Sequence, residues 1–104
     1  MSKHLFLVTK EGTLSDTYLY LEDDLLSAIY PVLEANPQCH LARALLEDFY
    51  GDEEFSHDQL ANLAAECSAL ATLLNGAARP WLTVIAALAS GAAEQRITLR
   101  VIAD

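Results

Sequence analysis

The chain has 104 residues, 53% of them hydrophobic, with four glycines, three prolines and a formal net charge of −9. That length holds one domain, 1–104, around a single small core, and the apolar content excludes a disordered chain. Residues 11–58 carry twelve of the fifteen acids against one base, Arg43, a field that attracts basic protein surfaces and repels nucleic acid and anionic lipid.

The first predicted element is the apolar run Leu5-Phe6-Leu7-Val8, closed by Lys10-Glu11-Gly12-Thr13, where Gly12 is free to take positive φ. Residues 17–21 then alternate, with Thr17, Leu19 and Leu21 on one face and Tyr18 and Tyr20 on the other, which predicts a half-buried strand. The two runs predict a hairpin. Asp23 or Asp24 can cap a first helix whose apolar residues are Leu25, Leu26, Ile29, Val32 and Leu33, with Pro31 expected to kink or divide it. Asn36-Pro37 reads as the start of a second helix, with Leu41, Ala42, Leu45, Leu46 and Phe49 as its buried stripe and Gly51 as its stop.

The third helix has the clearest local signature. Ser56 and Gln59 form a capping box, Phe55 and Leu60 a hydrophobic staple, and Leu60, Leu63, Cys67, Leu70 and Leu74 keep the helical period. A fourth helix starts near Pro80 and runs towards Gly91. It is apolar on nearly every side and is expected to be the most buried, with Ile85 and Leu88 near the core centre. Residues 97–102 alternate again and predict a third strand. A lone hairpin is marginal in water, so this strand should join it. The resulting fold class is α+β: a small three-stranded, mostly antiparallel sheet, made of the N-terminal hairpin and the C-terminal strand, covered on one face by about four helices.

The residues argue against most chemistry. The N-terminal run shows no signal-peptide pattern, and the longest apolar stretch, 81–89, is too short to span a bilayer, so a soluble, cytoplasmic protein is expected. Cys39 and Cys67 lie far apart on predicted core positions and read as reduced thiols, with a disulfide between the two helices as the alternative. His4, His40 and His57 lack metal-ligand spacing, and the neighbours Cys39 and His40 would point about 100° apart on a helix. No serine sits in a nucleophile elbow, and the glycines are too scattered to cradle phosphate. The expectation is a protein that is not an enzyme and needs no cofactor or metal.

The stretch 47–55 interleaves five carboxylates with Phe49, Tyr50 and Phe55. Phe49 and Phe55 are explained as core, and the acids by themselves read as a solvated turn. Glu47 and Asp48, however, fall in the last turn of a helix, where negative charge opposes the dipole. Tyr50, off the apolar stripe and flanked by acids, is the candidate anchor of an interface. The candidate partner-binding residues are therefore Glu47, Asp48, Tyr50, Asp52, Glu53, Glu54 and Asp58.

Three functional readings follow. The first is an acidic module that neutralises or masks a basic protein partner such as a toxin or nuclease, most specifically an immunity-protein or antitoxin-like inhibitor. Its carboxylates would steer encounter and pair with Lys or Arg. The second is a homo-oligomeric helical accessory or scaffold domain, a homodimer joined through its Ala-rich helices. The third is a ligand-binding protein or enzyme with a pocket between sheet and helices, lined by Tyr18, Tyr20, His40 and Trp81, although ordinary core and sheet-face roles account for the same residues.

Overall fold

The computed structural model describes residues 2–47 and 52–103, the side chains of 16–18 and 47 excepted. Strand β1 spans Lys3–Val8 and β2 Leu14–Leu21, both longer than their predicted runs. Residues 9–13 reverse the chain. Thr9 N–H donates to the Thr13 carbonyl at 2.8 Å, Gly12 N–H donates to the Thr9 carbonyl at 2.9 Å, and Gly12 takes φ +84°. The hairpin is antiparallel, with His4 opposite Tyr20 and Leu5 opposite Leu19.

Strand β3 spans Glu53–Phe55 and β4 Thr98–Ala103. As expected, β4 joins the hairpin, pairing antiparallel along the other side of β1. β3 pairs antiparallel with β4, so among the described residues the sheet has more than the expected three strands, in the order β2-β1-β4-β3. β3 escapes a sequence reading because three residues are too few to show alternation, and two of them are glutamates.

Helix α1 spans Asp23–Ala35 without division at Pro31. Its N-cap position is Glu22, and Asp23 and Asp24 fill the first turn, where carboxylates suit the dipole. Helix α2 is short, His40–Glu47. The predicted start at Asn36-Pro37 is wrong. Asn36 ends α1 instead, and its Nδ2 donates to the Val32 carbonyl at 2.8 Å. Asparagine serves either helix end, and a proline just beyond a C-cap is a stop as readily as a start. Phe49 and Gly51 lie outside the described residues.

Helix α3 spans His57–Ala71 behind the Ser56–Gln59 capping box. Gln59 Oε1 accepts the Ser56 N–H at 3.0 Å, which is the glutamine half of the box, and the Gln59 N–H also donates to the Ser56 carbonyl at 2.9 Å. Phe55 and Leu60, the predicted staple pair, are both buried. Helix α4 spans Ala78–Gln95, continues through Gly91 and packs mainly on α3. It ends at Arg96, a non-glycine residue at φ +55°, with the Ile97 N–H returning to the Ala92 carbonyl at 3.0 Å.

Helix α4 is not buried all round. Leu82, Ile85, Ala86, Ala89 and Ala92 face the core, while Thr83, Val84, Ala87 and Ser90 are exposed. Ile85 is fully buried, as expected, whereas Leu88 is only half-buried against the core. One side of the sheet supplies Leu5, Leu21, Leu99 and Val101 to a single core shared with Leu26, Ile29, Leu33, Leu45, Leu60, Leu63 and Leu82. The opposite sheet face carries His4, Phe6, Tyr20 and Arg100. The His4 and Tyr20 rings meet at 4.7 Å.

Candidate functional site

Most of the described candidate acids surround one edge of the sheet. Asp52 leads into β3 and is exposed, Glu53 is half-buried, Glu54 is exposed, and Asp58 is exposed in the first turn of α3. Glu47 is the last residue of α2, with its side chain outside the description, and Asp48 and Tyr50 lie outside the described residues. The interface anchor assigned to Tyr50 is therefore a matter for experiment alone.

Antiparallel pairing brings one base into this cluster that lies far from it in sequence. Arg100 stands directly across from Glu54, and its Nη2 approaches Asp52 Oδ2 at 4.0 Å. Both partners are well exposed, so the attraction is weak. Its Nε is buried with no hydrogen-bond partner among the described residues. The edge is thus less negative than residues 47–58 read alone. His57 Nε2 lies 3.2 Å from Asp58 Oδ1, an ion pair only when the imidazole is protonated.

The end of α2 that carries Glu47 also meets a cation from β1. Lys3 is 1% exposed, and its Nζ donates to the Leu45 carbonyl at 2.7 Å. That carbonyl is in the last turn of α2, where a cation suits the dipole. The other end of α2 is held by Glu66 from α3, whose Oε1 accepts the N–H groups of Leu41 and Ala42 at 3.0 Å each. An eight-residue helix is marginal by itself. Here charged side chains from β1 and α3 bond both of its ends. Sequence reading gives neither Lys3 nor Glu66 a role, because nothing local marks either as a cap.

Cys39 and Cys67 are buried and free, beside the Glu66 carboxylate. Burial, then Glu66, then Cys39 push the Cys67 thiol from 9.0 to about 12, and burial and Glu66 raise Cys39 as well. These are protonated, unreactive thiols at neutral pH. Among the described residues no group of three or more His, Cys, Asp or Glu is placed to hold a metal ion, and no helix is long and apolar enough to cross a membrane.

The pocket reading gains two of its four residues. Tyr20 and Trp81, with Leu19, Glu22 and Leu25, line a groove of about 470 Å³ where the β2 edge meets α1 and α4. His40 is not in it, being exposed at the start of α2, and the Tyr18 side chain lies outside the description. Leu25, which sequence reading counts only among the apolar residues of the first helix, and Glu22, to which it gives no role, complete the groove because α1 follows β2 after a single residue. No family model matches the chain, and no curated protein or solved structure resembles it.

Proposed function

We propose that the protein is an acidic binding module that masks a basic protein partner in the cytoplasm, most specifically an immunity-protein or antitoxin-like inhibitor, with no reaction of its own. The observation that carries this reading is the exposure of Asp52, Glu54 and Asp58 around one sheet edge, with Arg100 reaching Asp52 only at 4.0 Å. Solvated carboxylates at an edge steer a cationic partner and set the rate of encounter.

The test is kinetic. A partner is recovered by affinity capture, and its association is measured against the wild type and the triple variant Asp52→Asn, Glu54→Gln, Asp58→Asn. Slower association and a flatter salt dependence are expected, with folding stability changed by no more than about 1 kcal/mol. Tyr50→Ala is expected to raise the dissociation rate instead. Unchanged kinetics for the triple variant at low and high salt would reduce the acids to a solvated surface. The self-associating scaffold would then be the better reading, and its apolar contacts would survive high salt.

A further inference from the structure

The two edges of the sheet differ. β3 is three residues long and carries Glu53 and Glu54, a charged, blunted edge. β2 is eight residues long, Leu-Ser-Asp-Thr-Tyr-Leu-Tyr-Leu, with a single charged residue, Asp16. Among the described residues it has a strand neighbour on one side only, β1. An edge of that length presents a row of backbone donors and acceptors, and the group that satisfies such a row is another extended chain.

The shoulder of this edge is shaped for a side chain. The groove of Leu19, Tyr20, Glu22, Leu25 and Trp81 opens where β2 ends. Leu19 and Leu25 offer an apolar floor, Trp81 an aromatic ring and Glu22 an exposed carboxylate, while Tyr20 borders the groove with its ring turned towards His4 on the opposite sheet face. An aromatic ring beside a carboxylate suits a cation carried on an aliphatic stem, which describes arginine or lysine. Asp23 and Asp24 follow directly in the first turn of α1 and extend the negative field. A second copy of the chain would bring the same negative field, from Asp16 and Glu22 to Asp24, up to this edge, which opposes self-pairing.

We propose that the outer edge of β2 receives an extended basic segment of a partner protein as an added strand, with an arginine or lysine side chain laid in the Leu19–Trp81 groove against Glu22. The site lies on the edge opposite the acids around β3 and stands independently of their role.

Trp81 is the only tryptophan in the chain, so its emission reports on the groove directly. The probe is a blocked synthetic peptide of alternating valine and arginine, about eight residues long to match the strand. Titration is expected to change Trp81 emission saturably and to slow amide exchange within β2. The same peptide with alternate backbone amides methylated is expected to fail, because it cannot complete a strand ladder. Glu22→Gln is expected to weaken binding about three- to fivefold. Asp52→Asn with Glu54→Gln is expected to leave the Trp81 response in place. Four results would overturn the proposal: no change in emission or exchange at millimolar peptide; protection of β3 rather than β2; equal binding of a valine–glutamate peptide; or concentration-dependent protection of β2 without peptide, which would make a second copy the occupant.

Discussion

Cys67 shows how a residue's neighbours set its chemistry. Its place on the apolar stripe of α3 marks it as buried and Glu66 is its neighbour in the sequence, but Cys39 beside it emerges only from packing. The unfolded thiol ionises from about 9, whereas the folded one does so only at about 12. A raised folded value leaves stability intact below the unfolded value and removes it as pH rises towards the folded one. The wild type is therefore expected to lose stability between about pH 9 and about pH 12 more steeply than Cys67→Ala, by up to about 1.4 kcal/mol per pH unit. Urea denaturation across that range measures the difference. At pH 8 the native Cys67 thiol is expected to resist alkylation, and labelling as fast as in denatured protein would contradict its burial.

Among the elements, α2 depends most on its surroundings. Its apolar stripe is visible in the sequence, and Ala42, Leu45 and Leu46 are fully buried as that stripe predicts. Its boundaries are not, because both of its ends are bonded by residues far away in the chain. Lys3→Met keeps the length of the side chain and removes the charged bond to the Leu45 carbonyl. It is expected to lower the unfolding free energy by about 1–3 kcal/mol, read from the denaturation midpoint. An unchanged or raised midpoint would mean that burying the ammonium costs as much as its bond returns. Helix α3 behaves in the opposite way. Its cap and staple lie within residues 55–60 and are legible without any tertiary information.

For the molecule as a whole, the net charge of −9 opposes compaction, and the approach of Arg100 to Asp52 relieves only a little of it. Raising salt from about 0.02 M to about 0.3 M is expected to raise the denaturation midpoint, since screening weakens repulsion between exposed carboxylates. A midpoint that falls with salt would mean that attractive pairs outweigh repulsion at the surface. The same charge bears on binding. Acids flank both edges of the sheet, at Asp52–Asp58 around β3 and at Glu22–Asp24 beyond β2, so a basic partner meets favourable charge on either approach.

The sequence by itself determined the α+β class, the hairpin, the terminal strand and the capped third helix. Each is written in periodicity or caps that span only a few neighbouring residues. Only the tertiary structure decided the short β3 strand, the partial exposure of α4, the charged partners at both ends of α2, the entry of Arg100 among the acids and the groove at Tyr20 and Trp81. The physical reason is sequence separation. Lys3 meets Leu45 across 42 positions, and Glu66 meets Leu41 across 25. Contacts of that kind have no local period, and they exist only once the sheet and helices have assembled around the core.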